Sequence, residues 1–172
     1  VKTYDVYINN GSGWYNSSVW RSPLIFVSKG SGVNDYGVRF GDVNGDGLVD
    51  IMKGFDDSTG YDIYDVYINN GTGWTNSSMW RLPFIFVSQG DGIPDFGVRF
   101  GDVNGDGLFD MVKSYEALDQ TKTFAVYINN ISNSYLLNNI TNSYGGKINI
   151  NYGKSTSFNN TVNDSMSDLG FN

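Results

Sequence analysis

An all-β fold built from repeated four-stranded antiparallel units is what this sequence predicts. Three observations lead there. The chain repeats itself at a fixed spacing of 60 residues: Tyr4-Asp-Val-Tyr-Ile-Asn-Asn10 returns as Tyr64-Asp-Val-Tyr-Ile-Asn-Asn70. Short runs of β-branched and aromatic residues alternate with Gly, Asn, Asp and Ser clusters, which is the pattern of strands and turns. No stretch carries a convincing apolar period of 3.6 residues; Tyr115-Glu-Ala-Leu118 is too short to count as a helix. Self-similarity at a period of tens of residues signals a solenoid, a propeller or an array. Four antiparallel strands per repeat is the pattern of a propeller blade.

The repeat can be followed element by element. Gly-x-Gly-Trp ends at Trp14 and again at Trp74, and Asn-Ser-Ser follows at 16–18 and 76–78. Trp20-Arg21 and Pro23 match Trp80-Arg81 and Pro83, and Ile25-Phe-Val-Ser28 matches Ile85-Phe-Val-Ser88. Gly37-Val-Arg-Phe-Gly41 matches Gly97-Val-Arg-Phe-Gly101. A third copy opens at Lys122-Thr-Phe-Ala-Val-Tyr-Ile-Asn-Asn130 and lacks the Gly-x-Gly-Trp that should come next. In the second copy the expected strands are about 83–88, 96–100, 108–113 and 124–129. Val66, Ile68, Val98 and Phe100 alternate onto one face of such a blade. The repeat region is therefore read as 1–130.

Within each repeat lies one chemically distinctive stretch. Gly41-Asp-Val-Asn-Gly-Asp-Gly-Leu-Val-Asp50 recurs as Gly101-Asp-Val-Asn-Gly-Asp-Gly-Leu-Phe-Asp110. Oxygen-bearing side chains stand at alternate positions: Asp42, Asn44, Asp46 and Asp50, then Asp102, Asn104, Asp106 and Asp110. On a tightly curled loop this spacing lets several oxygens converge. Gly45, Gly47, Gly105 and Gly107 permit the positive-φ turns such a curl needs. All-oxygen ligands without sulfur or imidazole suit Ca²⁺, and Mg²⁺ less, because Mg²⁺ demands strict octahedral geometry and keeps its waters. A plain Asn/Gly/Asp turn is the simpler alternative, but it requires neither four oxygens in register nor their repetition. The loop is not an EF-hand. That motif needs a bidentate Glu at its twelfth position, where this chain has Lys53 and Lys113. The flanks, Val38-Arg-Phe40 and Leu48-Val-Asp-Ile-Met52, read as strands. Two Ca²⁺ sites of β-loop-β type are thus expected. One uses the side chains of Asp42, Asn44, Asp46 and Asp50 and the Leu48 carbonyl; the other uses Asp102, Asn104, Asp106, Asp110 and the Leu108 carbonyl.

Beyond residue 130 the composition shifts toward Asn and Ser. Residues 135–141 and 147–152 read as two strands joined by a turn at Gly145-Gly146, forming a β-hairpin-like segment over 131–152. Residues 153–172 are polar and are expected to be a poorly ordered tail. Sequons of the N-x-S/T type occur at Asn10, Asn16, Asn70, Asn76, Asn130, Asn139, Asn159 and Asn163; Asn- and Ser-rich turns also produce them by chance.

Composition excludes several functions. With no Cys and no His, the chain has no disulfide, no thiolate nucleophile, no Ser-His-Asp triad and no Cys- or His-ligated zinc. Net charge is −7, and six of the eighteen acids lie in the two Asp loops. Two bound Ca²⁺ would leave a mildly acidic surface, which argues against nucleic acid or an anionic membrane as partner. No apolar run approaches the ~18 residues of a membrane span. Asp62, Asp65, Asp95 and Glu116 form no recognisable glycosidase pair, so an enzyme is not expected. Trp14, Trp20, Trp74 and Trp80 are either packing groups between sheets or sugar-stacking platforms. Recurrence at the same repeat positions favours packing, and a carbohydrate-binding lectin or adhesion module is the alternative function.

Gly-Val-Arg-Phe-Gly-Asp-Val-Asn-Gly-Asp-Gly-Leu-x-Asp resembles the FG-GAP/VCBS repeat, the blade of integrin α N-terminal-like β-propellers. The longer frame, from Tyr-Ile-Asn-Asn-Gly-x-Gly-Trp through Gly-Val-Arg-Phe and the Asp loop, is similar to propeller repeats of Rhs/YD-repeat proteins and of insecticidal toxin complex B components. Leu136 to Tyr152 resembles the segment that follows the propeller there. The likeness covers about residues 4–152. It implies a calcium-stabilised propeller that binds and gates but does not catalyse, with its ligands on the ten positions given above. It also implies a secreted or cell-surface location and an unidentified protein or glycan ligand. Two full repeats and a partial third do not close a ring. The chain is therefore expected to be an incomplete propeller, either a fragment of a larger Rhs-like protein whose remaining blades complete it or a unit that must assemble.

Overall fold

The computed structural model describes residues 5–29, 33–57, 59, 61–89, 95–131, 137 and 139–151. The expected tail, and the sequons at Asn159 and Asn163, lie outside these. No helix occurs among the described residues, so none is long and apolar enough to cross a membrane. Among the described residues all secondary structure is β, in five small sheets.

The first repeat opens with a hairpin of β1 (Tyr7–Asn9) and β2 (Trp14–Asn16) and a second hairpin of β3 (Val27–Lys29) and β4 (Val33–Asp35). An antiparallel meander follows: β5 (Val38–Gly41), β6 (Asp50–Asp56), β7 (Asp62–Asn69) and β8 (Trp74–Asn76). Next comes β9 (Val87–Ser88), then a three-stranded meander of β10 (Val98–Gly101), β11 (Asp110–Glu116) and β12 (Lys122–Tyr127). β13 (Asn139–Thr141) and β14 (Lys147–Asn149) form the expected hairpin, turning at Gly145 with φ +82°.

The four-stranded antiparallel unit exists, but its frame differs from the predicted one. It runs from 38 to 76, and the Gly-x-Gly-Trp strand is its fourth member. The segment expected as the first strand of the second blade, 83–88, is a strand only at 87–88. It does not pair with β10. It lies parallel to β6 of the preceding repeat, Phe55 beside Val87 and Asp56 beside Ser88. Strand propensity marks such a segment but does not choose its partner; here a contact from one repeat to the next wins. Among the described residues the sheets do not close into a ring.

The main core forms where the two repeats meet. Val43, Met52, Phe55, Val66, Leu82, Phe84, Phe86, Val87 and Val98 are buried together. Ile68 and Phe100 pack against them, so the four residues predicted to share a face do reach one core. A smaller cluster in the first repeat joins Leu24, Val38 and Ile51, with Tyr67 and Trp74 against it.

Candidate metal centre

Each Asp loop connects two strands of one meander: 42–49 joins β5 to β6, and 102–109 joins β10 to β11. Antiparallel pairing holds the loop ends together, with Gly41 opposite Asp50 and Gly101 opposite Asp110. Between these fixed ends the chain curls through Gly45 (φ +70°) and Gly47 (φ +84°), and through Gly105 (φ +75°) and Gly107 (φ +82°). These are the four glycines whose positive φ was expected.

Side chains organise the curl, and they do so identically in both loops. Asp42 Oδ1 accepts from the N–H groups of Gly45 (2.8 Å) and Asp46 (3.1 Å), and its Oδ2 accepts from Gly47 (2.8 Å). Asp46 Oδ1 accepts from Leu48 N–H at 2.8 Å, and Asn44 Nδ2 donates to Asp46 Oδ2 at 2.9 Å. In the second loop Asp102 takes the N–H groups of Gly105, Asp106 and Gly107; Asp106 takes that of Leu108 and the Asn104 amide. The Gly107 N–H, with those of Gly105 and Asp106, holds the Asp102 carboxyl below its usual range against the cost of desolvation.

The last acid of each loop has a different position. Asp50 and Asp110 are fully buried. Asp50 Oδ2 accepts from Val43 N–H (2.9 Å) in the loop, and Oδ1 from Asn69 N–H (2.8 Å) at the end of β7. Asp110 does the same with Val103 and Asn129, both at 2.9 Å. Each carboxylate thus ties loop, its own strand and the next strand together. Burial pushes the Asp50 carboxyl up; the Asn69 and Val43 N–H groups oppose this, and repulsion from Asp46 and Asp42 adds to it.

In the first loop Asp50 therefore feels the charge of Asp46 and Asp42. They do not converge tightly: among the described residues no three acidic groups form a cluster that could hold a metal. Their oxygens are turned toward the loop's own N–H groups. The donor set still suits a hard cation. Each loop offers three carboxylates and an amide oxygen, all hard donors of the kind Ca²⁺ takes. The backbone N–H groups of Leu48 and Leu108 are engaged as above. Lys53 and Lys113 point away from the loops. Lys53 Nζ lies over Phe55 and Tyr36 (5.1 and 5.4 Å), and Lys113 Nζ over Phe96, Tyr115 and Phe84 (5.0, 5.2 and 5.3 Å).

Three features of the site were not read from sequence. Asn129 Nδ2 donates to Val43 O at 2.9 Å, fastening the third repeat's strand to the first loop. The ring of Phe109 lies against Gly41, leaving no room for a side chain there, and stacks on Phe100 at 4.9 Å. Leu108 sits on Gly45, where an added Cβ would come within 2.9 Å of its Cδ2. The two loops are thus neighbours. The Asn-Asn pair at 129–130 was visible as repeat sequence, but nothing local marked it as a bridge.

The tryptophans divide. Trp74 meets Trp20 edge-on at 5.5 Å and donates Nε1–H to the Trp20 carbonyl at 3.3 Å, and Trp80 packs on the main core. Trp14 is 70% exposed. The four acids weighed as a glycosidase pair sit apart: Asp62 accepts from Tyr64 Oη, Asp65 stands opposite Lys53, Asp95 pairs with Arg99 and Glu116 with Lys122.

Fold and loops together define an all-β repeat protein whose hairpins are closed by buried acidic clamps. The family is recognisable too. The model of the insecticide toxin TcdB middle/N-terminal region matches residues 69–171, more than half of the chain, and the chain belongs to that family. This agrees with the toxin-complex side of the resemblance noted in the sequence. No curated protein and no solved structure shows a significant match.

Proposed function

We propose that this chain is a non-catalytic, calcium-stabilised scaffold of a large secreted or cell-surface toxin-complex protein, built from FG-GAP/VCBS-type propeller blades. One observation carries the reading: the same Asp loop, with the same hydrogen bonds, closes the hairpin in both repeats, and in the first Asp46 and Asp42 repel the buried Asp50. Ca²⁺ would be held by Asp42, Asn44, Asp46, Asp50 and the Leu48 carbonyl, and by Asp102, Asn104, Asp106, Asp110 and the Leu108 carbonyl. Its contribution is charge neutralisation, which relieves the repulsion that Asp46 and Asp42 exert on Asp50. Extracellular calcium modules bind at about 10⁻⁴–10⁻³ M. At a few times that concentration binding stabilises the fold by about 1 kcal/mol.

The family name supports membership of an insecticidal toxin, in which this region serves as a middle, N-terminal-side part of a larger assembly. Neighbouring blades of the parent protein are then its first partners. Melting followed with Ca²⁺ and with EDTA tests the calcium role. EDTA should lower the melting temperature, and Asp46→Ala with Asp106→Ala should abolish that response. An unchanged melting temperature in EDTA refutes it.

A second reading, a glycan-binding adhesion module, draws on the exposed Trp14, which lies in the same hairpin as the exposed Tyr7 and Tyr15. Glycan-array binding lost on Trp14→Ala, with melting unchanged, would establish it.

A further inference from the structure

Residues 60 apart in this chain have the same identity but opposite environments. Phe86 and Val87 are 1% and 3% exposed, whereas Phe26 and Val27 are 41% and 47% exposed. Two local contacts around them are nonetheless the same. Tyr36 N–H bonds to Phe26 O as Phe96 N–H bonds to Phe86 O, both at 2.9 Å. Phe26 meets Phe40 edge-on at 5.5 Å as Phe86 meets Phe100 at 5.3 Å. Among the described residues only the second surface is covered, and β6 covers it. Gly54 O accepts from Phe86 N–H (2.9 Å), Asp56 O from Gln89 N–H (3.1 Å), and Asp56 Oδ2 from Ser88 Oγ–H (3.0 Å). The uncovered counterpart opens onto a groove of about 1220 Å³, lined by Leu24, Phe26, Val27, Phe40, Trp20 and Trp74 among others.

We infer that the first repeat's groove is a strand-docking site, and that its occupant is an extended segment of the pattern Lys-Gly-Phe-Asp entering parallel to β3. The chain itself supplies the template, since β6 with Lys53-Gly54-Phe55-Asp56 fills the equivalent surface in this manner. The Phe26 N–H would take the glycine carbonyl, and Ser28 Oγ the acid. Glycine is required at the crossing point. A Cβ on Gly54 would lie 2.8 Å from Phe84 O and 2.9 Å from Phe86 Cγ. That requirement also decides against a second copy of this chain. Its β6 is already paired with its own β9. Its β11 carries Ser114 where β6 has Gly54, and the added Cβ meets the same obstruction. The partner is therefore another repeat of this type with Gly-Phe at that place, added by main-chain pairing along an open strand edge.

This deepens the scaffold reading, so the experiment separates the two. A capped peptide of residues 49–57 contains no tryptophan, while Trp20 and Trp74 line the groove. Titrating it into the full chain, in Ca²⁺ and in EDTA, should change tryptophan emission saturably. A Gly54→Val peptide should bind at least about tenfold more weakly, as should the wild-type peptide to the Phe26→Asp chain. Circular dichroism of that variant checks that it folds. The inference is overturned if no saturable change appears, if the Gly54→Val peptide binds equally well, or if sedimentation reveals oligomers that Phe26→Asp dissolves. Docking that persists while EDTA leaves melting unmoved would refute the calcium role alone.

Discussion

Replacing Asp50 tests whether a buried carboxylate closes the hairpin. It serves as acceptor for two backbone donors, Val43 N–H at 2.9 Å and Asn69 N–H at 2.8 Å, in a position closed to solvent. Alanine leaves both donors without a partner, and each such loss costs about 1–3 kcal/mol. The gross penalty is about 2–6 kcal/mol. Part of it is offset, because burial and repulsion from Asp46 and Asp42 already tax the native carboxylate. A net loss of about 2–4 kcal/mol follows. With a urea m-value of about 2 kcal/mol per molar, the unfolding midpoint falls by about 1–2 M. Tryptophan fluorescence in urea, with EDTA present to remove any metal contribution, reads this directly. Asp50→Asn keeps the volume and one acceptor but sets an NH₂ against an N–H, so it should fall by about half as much. Midpoints of both variants within about 0.2 M of the parent would show that the clamp carries no stability.

Other expectations concern packing and pH. Gly54→Val forces a side chain into Phe84 O and the Phe86 ring; about 2–3 kcal/mol should be lost, with hydrogen exchange rising first at the Phe86 and Gln89 amides. Trp74→Ala should cost about 2–4 kcal/mol, since it packs on the Leu24 cluster and bonds to Trp20, whereas Trp14→Ala should stay within about 0.5 kcal/mol in the same melt. Asp95 is pushed up by burial, but the Arg99 hydrogen bond and the Gly97 N–H outweigh this and hold it below the usual 3.8. Its folded value is thus below its unfolded one, so the pair stabilises above that pH and the gain fades as pH falls through the folded value. Arg99→Gln should therefore cost about 0–1 kcal/mol near neutrality and nothing in strong acid; an equal loss at both extremes would exclude the pair as the cause.

Much of the site was legible because its determinants are local. The curl at Gly45 and Gly47, the bonds that Asp42 accepts from the Gly45, Asp46 and Gly47 N–H groups, and the strand ends beside it depend on residues within one loop. The hairpin at 139–149 likewise follows from its Gly-Gly turn. Asp50 was legible only as an acid at the right spacing. Its partner at Asn69 lies 19 residues on, at the end of a different strand, and spacing along the loop carries no information about it. The same holds for Asn129, whose bond to Val43 O spans 86 residues.

By itself, then, the sequence determined the all-β character, the 60-residue repeat and the two Asp loops. Each of these follows from backbone preference and short-range hydrogen bonding. Tertiary structure alone decided which strand lies beside which. Phe26-Val27-Ser28 and Phe86-Val87-Ser88 are the same three residues with the same local bonds, yet one set is open and the other buried. The difference is β6, which pairs with the second set, whereas among the described residues the first set pairs only with β4. Local chemistry makes the surface, and long-range pairing determines whether it is covered.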